Sequence, residues 1–131
     1  MRRKVKVLIV DDQRSIRNML TSIIGTLGGE VVGEAENGEE AVAKCAALQP
    51  DMILMDITMP KMDGIEALKH IMTTRPDTLV IMLTSHNTAE IVQECIAYGA
   101  KNFLLKSNSI NVLCEELKLT WAEYCKTLQG V

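Results

Sequence analysis

The sequence predicts an α/β fold in which a five-stranded parallel sheet is doubly wound, with helices on both faces in a three-layer sandwich. Three observations predict it. Apolar runs alternate with amphipathic stretches all along the chain, the pattern of strands each followed by a helix. Five such units are joined by short connections, which implies right-handed crossovers between parallel strands. The first apolar run, Val5, Val7, Leu8, Ile9 and Val10, is rich in β-branched residues, as expected of a strand buried on both faces.

The elements follow in order. The first strand is expected near 5–10 and the first helix near 14–27, where Gly28-Gly29 ends it. A second strand near 30–35 is followed by Asn37-Gly38, which opens a helix over 38–48. Gln49-Pro50-Asp51 separates that helix from a third strand near 52–56. The third helix, near 65–74, stops at Arg75-Pro76-Asp77, before a fourth strand near 79–84. A fourth helix near 88–97 ends at Gly99, and the fifth strand and helix fall near 102–105 and 110–127. In the last helix Leu113, Leu117, Trp121, Tyr124 and Leu128 recur at spacings of four, four, three and four. That is one apolar stripe to lay on a sheet, and it assigns Trp121 to the core.

Composition bounds what the chain does. With 131 residues, 47% of them hydrophobic, residues 1–131 are expected to form one domain around a normal core. There is no internal repeat, linker or low-complexity tract. A net charge of −3 argues against a nucleic-acid surface, which needs a clustered basic face; Met1-Arg2-Arg3-Lys4 reads as a solvated lead-in. No apolar stretch approaches the ~20 residues of a membrane span, and the N-terminus passes directly into a strand pattern, so the expected location is the cytoplasm. Cys45, Cys95, Cys114 and Cys125 lack C-x-x-C spacing and a nearby histidine set, which reads as reduced, packed thiols. The methionines, Met52, Met55 and Met82 among them, read as core filling.

The chemistry gathers at the strand ends. Ligands of open α/β sheets bind beyond the carboxyl ends of the strands, where strand order reverses. The first strand ends in Asp11-Asp12, the third in Asp56, the fourth in Thr84-Ser85 and the fifth in Lys106. Neighbouring strands lie ~4.8 Å apart, so a paired first and third strand would bring three carboxylates within reach of one cation. Such a set suits a hard divalent ion with oxygen ligands, as Mg²⁺ is. Taken singly, each Asp also reads as a helix cap or turn residue, and Lys106 as a surface charge. Together, a carboxylate nucleophile, Mg²⁺, a hydroxyl from Thr84 and the Lys106 ammonium suit in-line phosphoryl transfer.

These residues sit in segments that resemble the receiver domain of two-component response regulators. The segments are LIVDD (Leu8 to Asp12), GEAENGEEAV (Gly33 to Val42), ILMDITMPKMDGIEAL (Ile53 to Leu68), VIMLTS (Val80 to Ser85) and GAKNFLLK (Gly99 to Lys106). The resemblance runs over nearly the whole chain, and five spaced motifs in order make it specific. It implies a CheY-like, flavodoxin-like sheet of strand order 2-1-3-4-5. It implies that Asp56 is the phosphoacceptor, and that Asp11, Asp12, Asp56 and the backbone carbonyl of Thr58 hold Mg²⁺. Thr84 would bind a phosphoryl oxygen, Lys106 would neutralise it, and Phe103 would be an aromatic switch following Thr84. Pro60 and Gly64 would shape the loop after Asp56. The implied partners are a sensor histidine kinase and an effector that docks on the face of the fourth helix, fifth strand and fifth helix, including Ile91, Cys95, Tyr98 and Phe103.

One departure concerns the fifth loop. Many receivers place Pro after the Lys, often through a cis bond, and here Ser107 follows Lys106. A non-proline cis bond costs ~3 kcal/mol, which leaves cis and trans open at this bond. Thr58 and His86 occupy positions that the family leaves variable, where side chains alter access to the phosphoryl group; His86 reads as an exposed loop residue or a general base, and His70 as surface. Three functions fit. The first is a stand-alone, chemotaxis-type regulator that docks on another protein, because no effector domain is encoded here; it is expected as a monomer or a phosphorylation-dependent dimer. The second is the receiver half of a DNA-binding regulator, which VVGEAENGEEAV and the FLLK ending without Pro resemble. The third is a Mg²⁺-dependent phosphatase with an Asp nucleophile, but such enzymes commonly carry an acid two residues later, where Thr58 stands.

Overall fold

A computed structural model describes residues 4–85 and 88–128. The strands are β1 (Lys6–Val10), β2 (Glu30–Ala35), β3 (Met52–Asp56), β4 (Leu79–Thr84) and β5 (Asn102–Leu105). The helices are α1 (Arg14–Leu27), α2 (Gly38–Leu48), α3 (Gly64–Thr74), α4 (Ala89–Ala97) and α5 (Ile110–Leu128). All ten expected elements are present, with ends within one residue of those read from the sequence. The strands form one parallel sheet in the order β2-β1-β3-β4-β5.

Local chemistry sets the ends. Gly28 closes α1 in the left-handed conformation at φ 90°, and the Gly29 N–H donates to the Ile24 carbonyl at 3.0 Å. Asn37 caps α2 by accepting the Glu40 N–H at 2.9 Å, and Asp63 caps α3 by accepting that of Glu66 at 2.9 Å. Thr88 does the same for Ile91 in α4 at 3.3 Å.

The sheet separates two apolar layers. On one face Leu8, Val10, Ile53, Met55, Val80 and Met82 pack against Ala41 and Cys45 of α2, Ala67, Leu68 and Ile71 of α3, and Cys95 of α4. On the other, Val7, Ile9, Met52, Leu54, Ile81 and Leu83 meet Leu20, Ile23 and Ile24 of α1 and Leu113 and Leu117 of α5. Trp121 and Tyr124 pack partly buried against this second layer, as the stripe predicts; the Leu128 side chain lies outside the described structure. The four cysteines are free thiols, two buried and two partly exposed.

Strand order creates the crevice. The chain leaves β1 through α1 to the edge strand β2, then returns through α2 to β3 on the other side of β1. The connections from β1 and β3 thus part to opposite faces, which opens a cleft above their carboxyl ends. Val10 of β1 pairs with Met55 of β3, so Asp11 and Asp56, the next residues along, emerge side by side.

Candidate functional site

Asp11, Asp12 and Asp56 meet in that cleft. One carboxylate oxygen from each lies within 4.8 Å of the others. Asp11 is almost wholly buried and Asp56 is 5% exposed, whereas Asp12 faces solvent. Asp11 is held on both sides: its amide donates to the Ala35 carbonyl at 3.0 Å, and its Oδ1 accepts the Gln13 N–H at 2.8 Å. The cleft has a volume of about 250 Å³ and is lined by Asp12, Gln13, Asp56, Thr58, Ser85 and Lys106.

Lys106 enters from the end of β5, where its amide donates to the Thr84 carbonyl at 2.8 Å. Its ammonium lies 3.1 Å from Asp56 Oδ2, the expected pair, and 2.7 Å from Asp11 Oδ2. One cation thus bridges two carboxylates. Burial pushes the Asp56 carboxyl above its ordinary range, and the charge of Asp11 adds to the rise against the opposing pull of Lys106. Burial pushes Lys106 down, but its hydrogen bonds and ion pairs with Asp11 and Asp56 outweigh that, and its net shift is upward. Negative charge therefore exceeds what one ammonium offsets.

The donor set fits a hard divalent cation. Among the described residues, the partner of the buried Asp11 Oδ2 is the Lys106 ammonium, which also serves Asp56, so three carboxylates share one cation. Such an oxygen beside two further carboxylates is what a Mg²⁺ ion takes, with water completing its shell.

The loop between β3 and α3 folds back over the Asp56 end. The Gly64 N–H donates to the Ile57 carbonyl and the Gly38 N–H to the Met62 carbonyl, each at 2.8 Å, while Lys61 takes a left-handed φ of 65°. A Cβ on Gly64 would stand 2.0 Å from the Asp56 carbonyl oxygen. Only glycine lets the loop approach so closely.

The remaining sequence candidates are distributed around this centre. Thr84 is buried at the end of β4, and Ser85 after it lines the cleft. Phe103 is partly buried against the layer that holds Met82, its partner across β4 and β5. The Lys106–Ser107 bond is trans. His86 lies outside the described residues. His70 is exposed and sits 3.5 Å from Glu66 one turn earlier, a surface position as expected. Gln13, which was not singled out as a site residue, lines the cleft as the direct neighbour of the acidic pair.

Comparison with known proteins decides the family: residues 7–118 match the response regulator receiver domain. The chain belongs to that family. This receiver is 48% identical to a chemotaxis protein CheY of Thermotoga maritima, over 77% of its own length and 84% of the relative's. It is 46% identical to the transcriptional regulatory protein YdfI of Bacillus subtilis over 82% of its own length, and spans 51% of that relative. Its structure superposes with a TM-score of 0.84 on a CheX–CheY–BeF3–Mg²⁺ complex of Borrelia burgdorferi, at 34% identity and 89% coverage of both chains. Among the described residues of the receiver, no helix is long and apolar enough to cross a membrane.

Proposed function

We propose that this receiver takes a phosphoryl group from the phosphohistidine of a sensor kinase onto Asp56. A carboxylate oxygen of Asp56 attacks phosphorus as the bond to the histidine nitrogen breaks, leaving an acyl phosphate. The carrying observation is the meeting of Asp11, Asp12 and Asp56 opposite the Lys106 ammonium. Asp11, Asp12, Asp56 and the Thr58 carbonyl would hold Mg²⁺, which when bound offsets the negative charge gathered on the transferring group. Lys106 supplies a second positive charge to the phosphoryl oxygens, and Thr84 a hydroxyl donor once drawn forward from its buried position.

The added charge and three acceptor oxygens bias a two-state equilibrium through Thr84 and Phe103. The readout is the α4-β5-α5 face, where Tyr98 is exposed and Ile91 and Phe103 are partly buried; Cys95, expected on this face, is instead fully buried because it points from α4 into the apolar layer against the sheet. Its partner is a cytoplasmic effector protein, and the relatives named as chemotaxis proteins favour a chemotaxis pathway. The domain is a signalling switch that assists only its own phosphorylation and dephosphorylation. The second reading, a receiver half of a transcriptional regulator, is favoured by the partial span of YdfI; a helix-turn-helix encoded downstream in the same frame would establish it.

Intact mass after incubation with acetyl phosphate and Mg²⁺ tests the chemistry. The wild type gains one phosphoryl group, and neither the Asp56→Asn variant nor the wild type in chelator gains any. Equal labelling of Asp56→Asn would move the acceptor elsewhere and overturn the assignment.

A further inference from the structure

Arg17 stands one turn into α1 and is 92% buried, at 8% relative exposure, close behind the acidic cleft. Its guanidinium makes contacts on two sides. Nη1 donates to the backbone carbonyl of Asp11 at 2.8 Å, and Nε donates to Glu34 Oε1 of β2 at 2.8 Å, with Glu36 Oε1 3.9 Å from Nη2. A buried arginine is a costly way to join a helix to a strand, since well-packed apolar side chains serve that purpose as well or better. The bond to the Asp11 carbonyl suggests a different purpose. That carbonyl belongs to the peptide unit between the two adjacent acids, so fixing it fixes the plane from which Asp12 departs. The Gln13 N–H holds the Asp11 carboxylate from the other side. Asp12 is exposed and has no comparable support among the hydrogen bonds described.

We propose that Arg17 is a positioning residue for the metal site: it holds the Asp11–Asp12 peptide so that both carboxylates face one cation. Glu34 takes up the arginine's charge, so the guanidinium steers the acids without competing for them. This rests on the reading of Asp11 and Asp12 as Mg²⁺ ligands, and it adds a supporting layer to that site. Groups that orient metal ligands in this way typically change metal affinity by ten- to a hundredfold when removed.

Calorimetric titration of the unphosphorylated protein with MgCl₂ tests it. Arg17→Met keeps the length and apolar stem of the side chain and is expected to weaken Mg²⁺ binding about tenfold. Its urea midpoint, followed without Mg²⁺, is expected to fall, because the Asp11 carbonyl loses its donor and Glu34 its partner, while the chain still unfolds in one cooperative transition. In the acetyl phosphate reaction, half-saturating Mg²⁺ rises by the same factor while the rate at saturating Mg²⁺ stays within about threefold, because the reacting groups are untouched. Should Arg17→Met not fold, Arg17→Lys decides the matter, since a lysine ammonium cannot span the Asp11 carbonyl and Glu34 as a planar fork does. A folded Arg17 variant that binds Mg²⁺ within twofold of the wild type overturns the proposal, as does a loss of rate that saturating Mg²⁺ does not restore. A wild type that binds Mg²⁺ but gains no phosphoryl group would sink the phosphoacceptor reading and leave the role of Arg17 standing; a wild type that binds no Mg²⁺ would end both.

Discussion

Asp56 has an ionisation that the fold works against. Burial is the largest cause, the neighbouring Asp11 charge adds to it, and the pull of Lys106 does not cancel them. A carboxyl raised in the folded state stabilises the fold most at pH values below its unfolded pKa, about 3.9, and that contribution is lost as pH rises through the higher folded value. At neutral pH, without Mg²⁺, the ionised Asp56 therefore costs stability. Asp56→Asn is expected to raise the urea midpoint at pH 7, and the gain should shrink towards zero as the pH falls below the ordinary carboxylate range. Denaturation curves at several pH values check the sign, and a destabilised Asp56→Asn at pH 7 would refute it. Lys106 runs the other way: its raised value keeps its contribution intact at neutral pH, with loss only above the usual lysine range.

Among the elements, the β3–α3 connection has the least latitude. It begins at the acid proposed to react and must turn back within a few residues, with Lys61 left-handed and Gly64 against the Asp56 carbonyl. Gly64→Ala would force a backbone shift at that carbonyl. The expected cost is about 1–3 kcal/mol in urea denaturation, the usual range for overpacking, together with a slowed gain of phosphoryl mass. Unchanged stability would mean that the loop has an alternative path. The start of α2 is tied to the same loop by the Gly38–Met62 hydrogen bond, so a shift there would reach the second helix.

The whole molecule stores repulsion at one end of its sheet, and cation binding should relieve it. A ligand that binds only the folded chain stabilises it by RT ln(1 + [L]/Kd), about 2.7 kcal/mol at a hundredfold excess over Kd. The thermal unfolding midpoint should therefore climb with Mg²⁺ concentration, and the climb should vanish in Asp11→Asn. A midpoint indifferent to Mg²⁺ in the wild type would remove the metal from the account. Two apolar layers enclose the rest, with Val7, Leu8, Ile9, Ile53, Leu54 and Met55 fully buried, so the strain falls on a scaffold that does not yield with it.

Much of this molecule was legible in its sequence because the signals are short-range. Asn37 before its helix, Gly28 after another and the stripe from Leu113 to Tyr124 are written within a turn or two, and with the short apolar runs of the strands such local signals located the elements. The acids and Lys106 could be picked out because each closes an apolar run. Strand order was legible only through resemblance to a family, since which strands pair depends on packing among residues distant in the chain. Tertiary structure alone decided that Lys106 lies nearer to Asp11 than to Asp56 and that Ser85, with Thr84 buried, lines the cleft. It alone turned Arg17 back towards the acidic pair. These are matters of side-chain reach between elements, and a linear pattern holds no record of distances that exist only once the sheet has closed its layers.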